Sequence, residues 1–316
     1  MNFGCDVVLA TRKVGWNTLW LKSCAIFHTI NARLTAERGS AGPRTRCGMS
    51  MQREGRQMGD LISRDVGYSH DGCSMLGYLA LPDTSDDAEP LPAILLVHDA
   101  FGLTGDMIAT AERYAALGFA VLAADVWGDR TTPATEPEIG PLIGGMARDR
   151  ERWMGRIAAA HEALIVLPEV DAASVVAIGY CFGGSSALEY LRIGGDIRGA
   201  VSIHGGLDLL APDWSAWPAT DVVTDETTSV HVLLCTGADD PMATAPMRTQ
   251  LESSLSAAGV DWETDLYSDT KHAFTNPKSA FSPMPDVVAY NPRSSARAWA
   301  STTRFLAELF PEAQLA

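Results

Sequence analysis

Cys181 stands in the stretch "VVAIGYCFGGSSALEY" (residues 175–190), where an apolar run meets a glycine, the thiol, two further glycines and a helix-like segment. Glycines at 179, 183 and 184 leave room for a sharp strand-to-helix turn of the G-x-S-x-G kind, with cysteine in the nucleophile's place. Such a turn lifts its tip side chain above the sheet, at the positive end of the following helix, which favours a thiolate over a thiol. It also brings the backbone N–H of Phe182 into the same space, where it can hold a developing oxyanion. Two later segments supply partners: "GADDPMATAP", with the adjacent Asp239 and Asp240, and "SDTKHAFTNP", with His272. In a cysteine nucleophile's mechanism the imidazole removes the thiol proton and later protonates the leaving group. The carboxylate fixes the ring's tautomer and orientation.

The remaining candidates have plainer readings. Cys235, inside "VHVLLCTG", reads as a small buried hydrophobe. His98, His161, His204 and His231 are structural by default, although His204 follows a strand in "SIHGG" and is kept as a candidate pocket-wall residue. Tyr180, beside the thiol, is kept on the same footing. Ser185 and Ser186 fall one turn into the helix, poorly placed for attack.

These residues need a scaffold, and the sequence describes one. Apolar runs at 74–82, 93–100, 119–128, 174–180, 199–205, 230–237 and 261–267 predict strands. Helical spacing is found at 104–118, 146–167, 183–193 and 245–259 and within 289–310, and residues 129–145 read as a polar loop. Strand followed by helix, repeated, means a mostly parallel sheet with helices on both faces. Chemistry in such sheets lies just beyond the carboxyl ends of the strands, which is where Cys181, the aspartate pair and His272 fall. The order cysteine, aspartate, histidine is that of the α/β-hydrolase triad.

Charge is unevenly distributed in this 316-residue chain, whose net is −15. Residues 1–57 carry nine basic and three acidic side chains, a net of +6, against −21 for the rest. So acidic a body repels phosphate backbones and anionic membranes, and argues against nucleic-acid binding. No apolar run is long enough for a membrane helix. The six cysteines form no C-x-x-C pair and no zinc-finger spacing, so free thiols in a reducing compartment are expected. Residues 1–58 read as a basic extension, either disordered or transit-like. The expected location is therefore cytoplasmic, or an organelle matrix if residues 1–50 are a transit peptide. Residues 59–316 read as one α/β domain.

The stretches "LLVHDAFGLTGDMIATAERYAALGFAVLAADVWGD", "VVAIGYCFGGSSALEYL", "LLCTGADDPMATAPMRTQL" and "YSDTKHAFTNP" resemble the dienelactone hydrolase (carboxymethylenebutenolidase) family across roughly residues 65–310. The resemblance implies an α/β-hydrolase fold and a Cys–His–Asp triad that cleaves esters or lactones through an acyl-enzyme, with no metal or organic cofactor. It selects Asp240 over Asp239, since Pro246 and Arg248 follow at the family's spacing. It also implies that Asp99, in "HDAFG", contacts the resting thiol, and that the backbone N–H of Ala100 completes the oxyanion hole. Asp99 is one methylene shorter than the family's usual glutamate.

Family enzymes that take anionic dienelactone hold its carboxylate with arginines. Here Asn276 stands at one of those positions, and Arg130 is shifted by one from the other. An asparagine cannot give the bidentate charged contact of an arginine, so a neutral or differently held small-molecule ester or lactone is expected ahead of dienelactone itself. Phe274, with Phe281, Met284 and Tyr290, belongs either to a pocket wall or to the packing of the last helix. The competing readings are a redox-sensing or binding protein on the same fold, and an acyl or thioester transferase. A monomer is the default oligomeric state.

Overall fold

The computed structural model of the chain describes residues 61–83, 89–210, 230–311 and 313. The expectations for residues 1–58 lie outside these. Among the described residues, eight strands form one sheet: β1 (Leu61–His70), β2 (Cys73–Pro82), β3 (Leu91–Val97), β4 (Ala120–Ala124), β5 (Val170–Tyr180), β6 (Gly199–Ile203), β7 (His231–Gly237) and β8 (Asp261–Tyr267). Their spatial order is β1-β2-β4-β3-β5-β6-β7-β8. The β1–β2 and β2–β4 pairs are antiparallel, and every pair from β4 through β8 is parallel.

Alternation along the strands sorts side chains to two cores. On β3, Ala93, Leu95 and Val97 face one layer, and Ile94 and Leu96 face the other. The first layer is covered by α3 (Arg150–Ile165), α4 (Phe182–Arg192) and α5 (Ala245–Ala257), through residues such as Trp153, Ile157, Leu188 and Leu251. The second is covered by α1 (Gly105–Ala115) and α6 (Pro292–Leu309), through Met107, Tyr114, Phe305 and Leu306. Both faces of the inner strands β3, β4, β6 and β7 are thus dry, which explains their near-continuous apolar runs.

Two expectations need correction. Residues 129–145 are not all loop, and 146–167 is not one helix: α2 (Glu136–Arg148) and α3 meet at Asp149. Asp149 leaves helical geometry at φ −122°, ψ 79°, and its carboxylate caps α3 by accepting from the Arg152 N–H at 3.1 Å. At the start of α2, the Glu138 carboxylate accepts the N–H groups of Ala134 and Thr135. Pro137, Pro141 and three glycines hide that helix from a periodicity reading. The sequence reading also passed over β1. It is an edge strand, mostly exposed and polar, closed onto β2 by Asp71-Gly72, both at positive φ (49° and 72°). An Asp-Gly pair is a strong two-residue hairpin signal.

Candidate active site

The turn at Cys181 is as sharp as its sequence demands. β5 ends at Tyr180, α4 starts at Phe182, and Cys181 between them adopts φ 54°, ψ −117°. A non-glycine residue in such a conformation costs about 1–3 kcal/mol and persists only where the surroundings fix it. Here the glycines make the surroundings possible. A Cβ on Gly179 would lie 1.9 Å from the Gly183 carbonyl oxygen, and one on Gly183 would lie 2.1 Å from that of Val97.

Three strand ends meet at the thiol. Cys181 Sγ is 3.1 Å from His272 Nε2, and His272 Nδ1 is 2.9 Å from Asp240 Oδ2. Asp240 Oδ1 accepts the Met242 N–H at 2.8 Å, so the carboxylate is fixed at both oxygens. The imidazole and carboxylate are buried, whereas Cys181 is half-buried. Burial opposes charge on His272. The adjacent Cys181 and the hydrogen bond to Asp240 outweigh it and hold the ring's pKa well above the ordinary histidine range. The loop carrying His272 is clamped from behind by a returning segment: His272 N–H donates to the Val287 carbonyl and Ala289 N–H to the His272 carbonyl.

The loop after β3 is positioned by His98. The Val126 N–H donates to its Nε2 (3.1 Å), which leaves the proton on Nδ1 for donation to the Asp99 carbonyl at 2.7 Å. Trp127 Nε1–H donates to the Ala100 carbonyl at 3.3 Å. Asp99 itself makes a local turn, its Oδ1 accepting the Phe101 N–H at 2.9 Å. Among the described residues no hydrogen bond joins it to Cys181. Burial pushes its carboxyl up to about 6.

The candidate pocket residues fare differently. Phe274 is fully buried, packed edge-on against Tyr267 and His204, and so belongs to the core rather than a pocket wall. Tyr180 turns its hydroxyl to Tyr114 of α1, 3.0 Å away. Arg130 is committed to the β1–β2 hairpin: its guanidinium donates to the carbonyls of Leu76 and Gly77 and to Asp65. Asn276 caps the short 3-10 turn Pro277–Phe281, its Oδ1 accepting the Lys278 N–H at 2.9 Å. His204 is buried beneath the elbow, with both ring nitrogens engaged. Cys235 is buried, as its apolar setting predicts, and burial pushes its thiol up to about 12.

Asp125 escaped the sequence reading altogether. Fully buried, it accepts the N–H groups of Leu76, Gly128 and Arg130 and so shapes the loop that carries Trp127. A carboxylate closing an otherwise apolar strand ("VLAAD") was the available signal. Among the described residues, no group of three or more His, Cys, Asp and Glu side chains is gathered to hold a metal ion.

A mostly parallel sheet with helices on both faces, and an elbow at its centre facing a histidine and an aspartate from later strand ends, define an α/β hydrolase. The chain matches the dienelactone hydrolase family over residues 75–310 and belongs to it. It is a hydrolase of the lactone and ester type. A solved dienelactone hydrolase-like promiscuous phosphotriesterase from metagenomic libraries is 32% identical, with a TM-score of 0.70, covering 79% of this chain and 99% of its own. A Caenorhabditis elegans protein, K02A2.1, which is uncharacterised, is 30% identical over 52% of this chain and 99% of its own length. A dienelactone hydrolase from Anabaena variabilis shares the fold at 18% identity, with a TM-score of 0.52, covering 80% of this chain and 98% of its own.

Proposed function

We propose that this hydrolase cleaves neutral carboxylic esters or lactones through a cysteine acyl-enzyme. The observation that carries the reading is the continuous chain Cys181–His272–Asp240, at 3.1 and 2.9 Å. Sγ attacks the carbonyl carbon with its proton already carried on His272 Nε2, whose pKa is raised. The tetrahedral oxyanion is held by the N–H groups of Phe182 and Ala100. Collapse expels the alkoxide, which takes the proton from His272 and leaves a thioester on Cys181. A water then gives its proton to His272 and attacks the thioester. The acid departs, and the thiolate is restored beside the protonated His272. Asp240 keeps the Nδ1 proton throughout and stabilises the imidazolium.

The preference for neutral substrates rests on Arg130 and Asn276. The guanidinium is occupied by β1 and β2, and Asn276 offers an uncharged NH2 where an arginine would offer a charged fork. Neither supplies the charged bidentate clamp that a carboxylate takes from an arginine. A neutral phosphotriester is the second electrophile to try, because the 32%-identical neighbour is named for that activity.

The test is turnover of a short-chain aryl ester by the full chain and by Cys181→Ala. Turnover lost in the variant supports the acyl-enzyme, and equal turnover in both removes Cys181 as nucleophile. Alkylation or oxidation at Cys181 without turnover in either protein would favour a redox-sensing thiol. Product formation that rises above hydrolysis on adding an alcohol or thiol would favour acyl transfer.

A further inference from the structure

Cys181 is held from behind as well as from the front. Its backbone N–H is shared between the Ile203 carbonyl at 3.0 Å and His204 Nδ1 at 3.2 Å. Because Nδ1 accepts that N–H, the ring proton sits on Nε2, which donates to Thr275 Oγ1 at 2.8 Å. Thr275 lies three residues beyond His272 in the same loop, and the His204 ring stands edge-on to the His272 ring, 5.4 Å between centroids. The His204 backbone is fixed too, at φ 42°, with its N–H on the Cys235 carbonyl at 2.8 Å. One buried imidazole thus spans the backbone of the elbow and the loop that carries the base.

Packing alone does not require a polar ring here, since leucine would fill a similar volume against Phe274 and Tyr180. The ring must also stay uncharged. A second proton would set N–H against the N–H of Cys181, beside His272, whose raised pKa keeps it positive. Burial and that neighbouring charge both hold the His204 pKa well below the ordinary histidine range.

We propose that His204 is a positioning residue: a neutral imidazole that fixes the backbone of Cys181, and with it the direction of the Phe182 N–H, relative to the loop bearing His272 and Thr275. The inference rests on Cys181 being the nucleophile. Such alignment matters most in the transition state, so its loss falls on kcat rather than KM.

The experiment compares His204→Leu with His204→Asn in the full chain, the carboxamide oxygen of asparagine standing in for Nδ1. His204→Leu lowers kcat for an aryl ester by about 10- to 100-fold, with KM within about twofold, and His204→Asn recovers most of that loss. Thr275→Val gives a loss of about tenfold, which Thr275→Ser restores. The rate of Cys181 alkylation by iodoacetamide, read by peptide mass, follows the same order and needs no turnover. Failure of the nucleophile reading shows separately, as equal ester turnover by wild type and Cys181→Ala.

The proposal is overturned if folded His204→Leu keeps the wild-type kcat and alkylation rate, or if His204→Asn is as impaired as His204→Leu. Should His204→Leu fail to fold, Thr275→Val decides, and wild-type kcat in that variant overturns it.

Discussion

Asp240→Asn separates the hydrogen-bonded geometry from the mere presence of three residues. In the folded chain Asp240 Oδ1 takes the Met242 N–H at 2.8 Å and Oδ2 takes the His272 Nδ1–H at 2.9 Å. Asparagine must keep its oxygen on Met242, since an NH2 group cannot face an N–H donor. The NH2 then faces Nδ1, which has to present a lone pair, and the ring proton moves to Nε2. That nitrogen is the one 3.1 Å from Sγ. The ring then holds its one proton there and cannot also take the thiol's, as the Asp240-paired ring does. The equivalent change in a serine enzyme costs about 10⁴-fold. A thiol needs less help than a hydroxyl, so the expected loss in kcat is about 10²- to 10³-fold, or about 3–4 kcal/mol.

The assay is kcat and KM for an aryl ester at pH 7, with thermal melting to confirm the fold. Asp239→Asn, at the adjacent exposed aspartate, is the control and should stay within about twofold, as surface changes do. Activity of Asp240→Asn within tenfold of wild type would refute the tautomer argument. So would an equal loss in Asp239→Asn.

Three further outcomes are expected. Gly183→Ala would set a Cβ 2.1 Å from the Val97 carbonyl oxygen and 2.7 Å from that of His98. Neither backbone can yield cheaply, so urea unfolding should show a loss of at least about 3 kcal/mol. Arg130→Ala, which releases Asp65 and two β2 carbonyls, should lower stability by about 1–2 kcal/mol and leave KM for a neutral ester unchanged. A rise in KM would place that arginine in the pocket after all. Asp99 has its carboxyl raised from 3.8 to about 6 by burial, so its contribution to stability is fully present below pH 4 and is lost as pH rises through 6. Asp99→Asn cannot ionise, so from pH 4 to 8 its melting temperature should gain on that of wild type. Parallel curves would contradict a raised carboxyl pKa at this position.

The strand ends and the elbow were legible in the sequence because they rest on local rules. Buried parallel strands read as apolar runs, and only glycine fits where Gly179 and Gly183 touch backbone. The order of Cys181, the aspartate pair and His272 was legible for the same reason. What the sequence hid is set by tertiary partners. Nothing near Arg130 announces that its guanidinium closes on β1 and β2, strands some fifty and sixty residues earlier. Nor does "SIHGG" reveal that His204 has neighbours at both Cys181 and Thr275. Phe274 follows the base in sequence yet points into the core, because Ala273 before it turns the chain at φ 53°.

The position of β8 at the margin of the sheet has a consequence for how the molecule fails. The thiol is set by β5, deep in the sheet, whereas His272 is delivered by the outermost strand, whose residues are mostly half-buried or exposed. Margins open before centres. On heating, turnover should therefore disappear while the helical circular-dichroism signal is still intact, and amides of β8 should exchange with deuterium sooner than those of β5. Enzyme activity would then report on fraying of one edge, not on melting of the whole.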